Sequence, residues 1–397
     1  MLINLWYVAE WSHVVKDEPV KARLLGRNFV LYRDETGKVN CLSDVCLHRG
    51  GSLSGGWIKG NNVTCPYHGW QFSGEGKVEF IPSEGAGYNI PDKARVDAYP
   101  TEERYGLIWV FMGDLPEAER FPIPPLPEFD NPDWRMITSE FTWQAEAARV
   151  VENGIDIAHA SFVHPVFGMP ETAEANHITK VEKGEHWGYS ENVQYPPQMK
   201  ENFLRRRIRK ERQPTITKPY YDLSGMLVRI QIDLNSKMSL VMFDANTPVD
   251  EHVTRTFALQ FRNFFKHPIF DNGSKKRLHK ILNEDAAIVN AASPNYLPDN
   301  LANELSVKDD KFMSSFRAAR RRCIEERGWK IDTDAAAQHQ GKRVLNIPSP
   351  VRRERHDLQW VIDTVPLIAP IRQAPRAVPE PQLEESELEV RSEAAKG

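Results

Sequence analysis

Two short boxes of cysteine and histidine near the start of the chain constrain this sequence more than any other feature. The first box contains Cys46 and His48, and the second contains Cys65 and His68, with sixteen residues between the boxes. Each box offers one thiolate and one imidazole, and each is followed by glycine. Glycine lets a backbone approach sulfur closely and donate N–H groups to it. The pattern therefore predicts a metal centre held between two loops.

Two kinds of metal centre use two cysteines and two histidines. A Rieske-type [2Fe–2S] cluster has two cysteines on one iron and two histidines on the other. A structural zinc site has the same four donors around one ion, typically as Cys-x2-4-Cys and His-x3-5-His pairs. Here each box mixes sulfur and nitrogen, which favours the Rieske cluster with Cys46, His48, Cys65 and His68 as its ligands. Zinc is the alternative.

A second candidate metal site lies further along the chain, at Asp156, His159 and His164. Residues 145–160 are predicted to form a helix, and Asp156 and His159, three positions apart, would lie on one face of it. Pro165 disfavours a helical conformation at His164, so the helix is predicted to end nearby. Two imidazoles can then converge on one metal. The alternative is two unrelated histidines, one on a helix and one in a loop.

An iron site with two histidines needs one carboxylate, which has to come from later in the chain. In the predicted helix after residue 274, Asp285 shares a face with Leu278 and Leu282. An acid on an apolar face has to be paired or to bind a metal. Glu284 is turned about 100° away and is predicted to reach solvent. The alternative for Asp285 is a buried salt bridge.

Together these motifs resemble the terminal oxygenase component (alpha subunit) of Rieske non-haem iron oxygenases, in the branch of homotrimeric mono- and dioxygenases and O-demethylases. The boxes CLHRGGSLS and CPYHGWQFSGEGK are similar to the cluster motif of that family, and residues 5–9 are similar to the start of such domains. Residues 153–164 resemble its iron-binding motif, and the pair Glu284-Asp285 resembles its acidic pair. The resemblance extends over about residues 5–370.

The resemblance implies an α+β fold, with an all-β Rieske [2Fe–2S] domain followed by a helix-grip catalytic domain whose antiparallel sheet is covered by helices. It implies a mononuclear Fe(II) held by His159, His164 and Asp285. In the family, the acid that matches Asp156 hydrogen-bonds an iron-ligating histidine and bridges to a cluster histidine of the neighbouring subunit. Asp156 is therefore expected to relay electrons, within a homotrimer.

The resemblance also implies a reaction and partners. Electrons from NAD(P)H would arrive through a ferredoxin or a flavin reductase, and O2 would be used to hydroxylate or oxidatively demethylate a small, aromatic substrate. The same metal set serves monooxygenases and dioxygenases. Two other functions are open to this pattern: a Rieske electron-transfer or regulatory protein without a working mononuclear iron site, and a hydrolase or binding protein with zinc at both sites. The chain has no His-Glu-x-x-His motif, which weakens the zinc-hydrolase alternative.

The predicted organisation is a Rieske domain at 1–115, a proline-rich linker at 116–135, a catalytic domain at 136–373 and a mobile tail at 374–397. A PxxP ligand for a partner is the alternative for the linker. The basic run at 204–212 would be a solvated face, a dock for an acidic ferredoxin or an attractor of anionic substrate. Residues 303–327 are predicted to form one charged helix on the outside.

Composition excludes several classes of protein. The net charge of −4 argues against nucleic acid or an anionic membrane as the main partner. No apolar run is long enough to span a membrane, and the N-terminus does not have the pattern of a signal peptide. Of the four cysteines, the cluster uses two, and the remaining Cys41 and Cys323 are far apart in sequence. A reduced, cytoplasmic setting is therefore expected.

Overall fold

The N-terminal region of the computed structural model consists of short antiparallel strands. The structure describes residues 1–164, 167, 170–195, 214–298 and 304–371. The strands are β1 (Leu5–Trp11), β2 (Val20–Leu24), β3 (Arg27–Arg33), β4 (Val39–Ser43), β5 (Trp57–Lys59), β6 (Asn62–Thr64), β7 (Gln71–Phe72), β8 (Val78–Phe80), β9 (Ala98–Tyr99), β10 (Thr101–Arg104) and β11 (Leu107–Met112). Within the described residues they form three sheets, in the orders β1-β11-β10, β2-β3-β4-β9 and β5-β6-β7-β8.

The loops between these strands carry both cysteine–histidine boxes. The first box follows β4, and the second connects β6 to β7, which pair through Val63 and Phe72. A small apolar core lies directly beneath both loops and includes Val30, Leu42 and Phe72, all fully buried. Because rigid strands with a packed core support each loop, the boxes are held at a fixed separation.

The C-terminal region contains a large antiparallel sheet. Its strands are β12 (Arg135–Trp143), β13 (His177–Lys183), β14 (Trp187–Gln194), β15 (Thr215–Asp222), β16 (Leu227–Asn235), β17 (Met238–Pro248) and β18 (Thr254–Arg262). In the described part of the chain their order is β12-β18-β17-β16-β15-β14-β13, and every neighbouring pair is antiparallel. The alternating sequence of β16 to β18 is typical of such a sheet.

The described part of the chain has six α-helices, and three of them pack against this sheet. The six are α1 (Ala147–Ile155), α2 (Ala160–Val163), α3 (Asp271–Val289), α4 (Lys311–Glu325), α5 (Thr333–Ala337) and α6 (Pro350–Glu354). Helix α1 lies against β15, β16 and β17, α3 packs against β12, and α4 packs against β14. The predicted fold class, an all-β domain followed by an antiparallel sheet covered by helices, is confirmed.

The two regions share one continuous apolar core. It joins residues of β1 and β11 to residues of β16–β18 and α4. Polar contacts reinforce this junction: the Thr247 hydroxyl donates to the Val8 carbonyl at 2.6 Å, and Arg255 pairs with Glu10 at 2.9 Å. Strand β1 therefore serves both regions, which fixes the position of the cluster loops relative to the large sheet of the same chain.

The proline-rich segment is held by these two regions along much of its length. Ile123 and Leu126 are buried, and the Tyr105 hydroxyl accepts from the Leu126 N–H at 3.0 Å. Phe121 stacks on His186 with ring centroids 4.3 Å apart. These contacts use side chains that a PxxP ligand would present to a partner, so they oppose that alternative. The domain boundaries at 115 and 135 stay predictions.

The charged helix expected over 303–327 is shorter than predicted and is not external. Helix α4 covers Lys311–Glu325, and one face of it enters the shared core with Phe312, Phe316 and Cys323. The prediction of an external helix was wrong because its many arginines lie beside a narrow apolar stripe. The basic run at 204–212 and the tail at 374–397 lie outside the described residues.

After α5 the chain returns to the Rieske region and is anchored there by Asp97. This carboxylate has no exposed surface and accepts from Asn346 Nδ2, from Ser349 Oγ at 2.8 Å and from Arg352 Nε at 2.7 Å. The Arg352 guanidinium also lies over the Trp360 ring, 4.1 Å from its centroid. The buried carboxylate is thus fully paired, as burial requires.

Replacing Arg352 with methionine is expected to lower the free energy of unfolding by about 3–5 kcal/mol, because it leaves the buried Asp97 charge without its cation. Arg353→Met is the matched control: its partner Asp114 is 3.3 Å away, but the arginine side chain is 48% exposed. That exposed pair is expected to contribute less than about 1 kcal/mol. Urea unfolding of both variants measures the difference, and equal losses would contradict the anchoring role of Asp97.

Candidate metal centres

The two cysteine–histidine boxes fold into loops with the same hydrogen bond. In the first loop the Gly50 N–H donates to the Cys46 carbonyl, and in the second the Gly69 N–H donates to the Cys65 carbonyl, both at 2.9 Å. Gly69 has a φ of +73°, in the left-handed region that favours glycine. The two loops therefore present their cysteines and histidines in a similar way, which the sequence spacing alone did not show.

The four predicted cluster ligands divide into an inner pair and an outer pair. Cys46 and Cys65 are buried, whereas His48 is half-buried and His68 is exposed. The two imidazole rings lie 4.4 Å apart, centroid to centroid. Burial raises the pKa of the Cys46 thiol to about 12, and backbone N–H groups of the loop oppose this rise. Two sulfurs inside and two nitrogens outside fit a [2Fe–2S] group with one histidine-bound iron.

Residues next to the four donors are compatible with such a group. A Cβ on Gly51 would lie 3.0 Å from Cys65 Sγ, so glycine permits this close approach of backbone to sulfur. Trp70 stacks on His48 with centroids 4.7 Å apart and ring planes 4° from parallel. His48 Nδ1 is buried and has no hydrogen-bond partner in the described structure. A buried nitrogen without a partner is a suitable metal donor.

A single zinc ion does not fit these four donors. Among the described residues, the only group of three or more histidine, cysteine or acidic donors lying within 4.8 Å of one another is at the second site. Four donor atoms bound to one zinc ion at about 2.0–2.3 Å would also have to lie within that separation of one another, and the donors of the two boxes do not. The boxes therefore fit a two-metal cluster better than the zinc alternative.

At the second site the structure brings together His159, His164 and Asp285. Asp285 Oδ1 lies 3.2 Å from His159 Nε2 and 2.9 Å from His164 Nε2, and the two Nε2 atoms are 3.3 Å apart. Metal bonds of about 2.1 Å at right angles would separate neighbouring donors by about 3.0 Å. The three donors would therefore suit one octahedral ion and would leave its other positions free for further ligands.

Asp156 lies beside this group, but not through the helical spacing predicted from the sequence. Helix α1 ends at Ile155, and Asp156 has extended backbone angles (φ −75°, ψ 118°). Its Oδ1 accepts from the Ala158 N–H at 2.8 Å, a local turn that competes with continuation of the helix. Asp156 Oδ2 then lies 3.6 Å from His159 Nδ1. The prediction of one helix over 145–160 was wrong, yet the turn still pairs the two side chains.

Glu284 lies beside His164, whereas the sequence predicted that it reaches solvent. Its Oε2 lies 3.0 Å from His164 Nδ1, and its side chain is only 24% exposed. The helical wheel gives the direction of a Cα–Cβ bond, whereas a glutamate side chain is long enough to turn back toward the flank of the helix. The signal in the sequence was the adjacent acidic pair itself. Each histidine of the group therefore has its own carboxylate: Asp156 for His159 and Glu284 for His164.

The electrostatics of this group suit a cation. Burial lowers the pKa of His159, but the Asp156 and Asp285 carboxylates outweigh burial and raise it to about 9. Burial raises the pKa of Asp285, but His159 and His164 outweigh it and lower it to about 2. Both shifts have one cause, which is that the site favours positive charge next to an ionised Asp285. A divalent metal would supply that charge without a proton.

Glu284→Gln is expected to weaken iron binding at this site by about 10–100-fold, because a carboxylate that orients a ligating histidine also raises its basicity. Chelator competition measures the loss, and absorption of the cluster should stay unchanged. Lys280→Gln is the control, since Lys280 Nζ is 3.7 Å from Glu284 Oε1 and its side chain is 63% exposed. Unchanged iron affinity in Glu284→Gln would contradict the role assigned to Glu284.

A cavity opens above the three donors, between α1, α3 and the large sheet. Its empty volume, including the mouth, is about 790 Å³, within the usual range for small-molecule sites. Apolar side chains make up much of the described lining: Val150, Ile157, Val228, Ile230, Ile232, Met242, Leu278, Ile281 and Leu282. His159, His164 and Asp285 form part of its wall. A ligand in the cavity would lie against the open side of the metal group.

Comparison with known proteins gives two family matches in series. Residues 4–100 match the Rieske [2Fe-2S] domain, and residues 143–326 match the vanillate O-demethylase oxygenase C-terminal domain. The chain belongs to the Rieske non-haem iron oxygenases. The resemblance predicted from the boxes and the histidine pair is confirmed, as are the predicted cofactors of the family, a [2Fe–2S] cluster and a mononuclear iron.

Curated relatives of this Rieske oxygenase match it over different lengths. The 4beta-methylsterol monooxygenase of Methylococcus capsulatus is 36% identical over 159 residues, which cover 39% of this chain and 43% of the relative. The methylxanthine N1-demethylase NdmA of Pseudomonas putida is 28% identical over 320 residues, covering 78% and 83%. The match spans less than half the length of the first curated relatives.

Solved structures agree on the fold. Dicamba monooxygenase bound to 3,6-dichlorosalicylic acid superposes with a TM-score of 0.68 and 23% identity, covering 81% of this chain and 96% of that chain.

None of the helices that the structure describes is long and apolar enough to cross a lipid bilayer. All four cysteines are buried, and none of them forms a disulfide bond.

Proposed function

We propose that this chain is the terminal oxygenase component of a multicomponent Rieske oxygenase, which hydroxylates or oxidatively demethylates a small aromatic substrate with O2. The observation that carries the proposal is the coexistence of two metal sites in one chain. One has paired sulfurs and imidazoles, and the other has two imidazoles and a carboxylate on the wall of an apolar cavity. Names of relatives that include a monooxygenase and a demethylase support this reaction class.

In this proposal Cys46, His48, Cys65 and His68 hold the cluster, and His159, His164 and Asp285 hold the mononuclear iron. Bound Fe(II) supplies open positions at which O2 can be activated with electrons from the cluster. Glu284 would orient His164 through its contact with Nδ1 at 3.0 Å, and Asp156 lies 3.6 Å from His159 Nδ1, so that each Nε2 would face the metal. The apolar lining excludes water and holds the substrate body beside the open side of the group.

The electron path is proposed to cross between subunits. His68 is exposed at the tip of the cluster loops, and the Asp156 side chain keeps 25% of its surface exposed. A head-to-tail ring would bring the cluster of one subunit to Asp156 of the next, and a closed homotrimer provides such an interface. Electrons from NAD(P)H would reach the cluster through a ferredoxin or a flavin reductase. The unpaired cysteines support a cytoplasmic location.

Single turnover tests the proposal. The holoprotein is reduced chemically, mixed with ¹⁸O2 and given a panel of aromatic compounds, including aryl methyl ethers and N-methyl heteroaromatics. The expected result is one ¹⁸O atom or two in a product, or released formaldehyde. If O2 reoxidises the cluster but no compound of the panel gains oxygen or loses a methyl group, the electron-transfer alternative replaces this proposal.

A further inference from the structure

Apart from the metal group, whose His159 Nδ1 and Asp285 Oδ1 also make no hydrogen bond, one polar side chain of the described cavity lining has a buried atom without a partner. On β17 the residues Met242, Asp244 and Asn246 alternate toward the cavity, as the period of a strand requires. Asp244 Oδ1 is buried and makes no hydrogen bond within the described structure. Its neighbours in register on the adjacent strands are Val228 and Ala258, which offer no side-chain donor.

The other polar groups of this wall are already paired. Asn246 Nδ2 donates to the Met226 carbonyl at 2.8 Å, and its Oδ1 accepts from the Thr256 hydroxyl at 2.6 Å. The Thr256 hydroxyl in turn accepts from Trp143 Nε1 at 2.8 Å. Across the cavity, the Thr217 hydroxyl donates to Gln194 Oε1 at 2.6 Å. Away from the metal group, Asp244 thus differs from these paired side chains.

The described residues of the lining also include no lysine or arginine that could pair with Asp244. The acids among these residues are Asp156, Asp244 and Asp285. Asp156 and Asp285 lie beside histidines, at 3.6 Å and 2.9 Å respectively. Burial raises the pKa of Asp244 to about 7, and the nearby Asp285 charge adds to the rise. A buried carboxyl without a donor is costly unless a ligand supplies one.

We propose that Asp244 positions the substrate by accepting a hydrogen bond from an N–H or O–H group on it. The substrate class is then a small apolar molecule, neutral or cationic, that carries such a donor. A carboxylate or sulfonate would meet the Asp244 side chain, whose charge no lysine or arginine of the described lining offsets. This inference rests on the proposed function, since it names the substrate class of the same cavity, and it departs from the anionic substrate that the run at 204–212 suggested.

The test uses four probes of similar shape: benzylamine, benzyl alcohol, toluene and benzoate. Calorimetric titration is carried out on the oxidised, metal-loaded holoprotein without an electron donor, so that binding is measured without turnover. Benzylamine and benzyl alcohol are expected to bind at least about tenfold more tightly than toluene and benzoate. Tighter binding of benzoate, or failure of both donor-bearing probes to bind at millimolar concentration, would overturn the inference.

Two variants test whether Asp244 causes the preference for probes that carry a hydrogen-bond donor. Asp244→Asn keeps the shape and one acceptor, so it should weaken benzylamine by about tenfold and benzyl alcohol less. Asp244→Leu removes the acceptor and should abolish the preference for both. The exposed Asp130→Asn is the control and should bind like the wild type. Donor preference that survives in Asp244→Leu would contradict the role of Asp244.

Probe binding tests this inference, and oxygen incorporation tests the proposed function, so the two can fail separately. Donor preference without oxygen incorporation would leave Asp244 as a ligand-positioning residue and reject the oxygenase reaction. Oxygen incorporation into compounds without donors, at rates equal to donor-bearing ones, would support the oxygenase and reject the substrate class. Cluster absorption and far-ultraviolet circular dichroism of each variant confirm that the comparison is made on folded protein.

Discussion

Replacing Asp285 with asparagine is expected to lower the iron content from about three atoms per chain to about two and to abolish oxygen incorporation. The carboxylate is the one anionic donor of the group and faces both Nε2 atoms, at 2.9 and 3.2 Å. A neutral amide removes the charge that attracts a divalent ion. Because the cluster is held by the separate boxes, its spectrum should not change. Iron analysis and single-turnover product analysis measure the two effects.

Asn283→Ala is the matched control for Asp285→Asn. It lies on the same helix, is exposed and only donates to the His279 carbonyl of the preceding turn. Iron content and turnover should remain at the wild-type level in this variant. If Asp285→Asn kept full turnover, the second site would not be the place of reaction, and the electron-transfer alternative would gain support.

The second large effect is expected for Asp156→Asn, which should keep both metals yet lower coupled turnover by up to about 100-fold. Asp156 Oδ2 is 3.6 Å from His159 Nδ1, so the carboxylate lies beside the metal group without belonging to its three closest donors. In the proposed relay it connects His159 to a cluster histidine of the next subunit. Rapid mixing with O2 and substrate should leave the reduced cluster absorption nearly unchanged over the time of wild-type reoxidation.

Glu284→Gln separates a relay from an orienting role, since Glu284 contacts the other histidine of the group, His164. If Asp156 only orients His159, then Asp156→Asn and Glu284→Gln should both lower iron affinity, and saturating iron should restore turnover in both. The relay predicts that saturating iron restores Glu284→Gln alone. Normal cluster reoxidation in iron-loaded Asp156→Asn would reject the relay.

The parts of the site that the sequence predicted well are those whose chemistry is local. Cys46 and His48, or Cys65 and His68, lie within one loop each, so their spacing alone predicts a shared centre. Asp285 was predicted from its place on an apolar face, a consequence of helical periodicity that survives any tertiary arrangement. The fold class came from the resemblance to the family, and the alternating sequence of β16 to β18 agrees with it.

The features that the sequence did not predict depend on how far a side chain extends and on how the elements pack together. Glu284 was assigned to solvent because a helical wheel does not show how far a flexible side chain extends. The pairing of Asp156 with His159 came from a turn after Ile155, where an aspartate side chain competes with the helix. The sequence did not indicate that Asp244 lacks a hydrogen-bond partner, because this depends on its apolar neighbours on two other strands. Such features need the register of the whole sheet, which one sequence does not contain.

Iron analysis combined with the electron paramagnetic resonance spectrum of the dithionite-reduced protein tests the central claim most directly. The account predicts a Rieske signal together with about three irons per chain, two in the cluster and one at His159, His164 and Asp285. A Rieske signal with only about two irons per chain, even after loading with Fe(II), would contradict a mononuclear iron site and with it the proposed oxygenase. A colourless protein containing zinc would contradict the assignment of both sites.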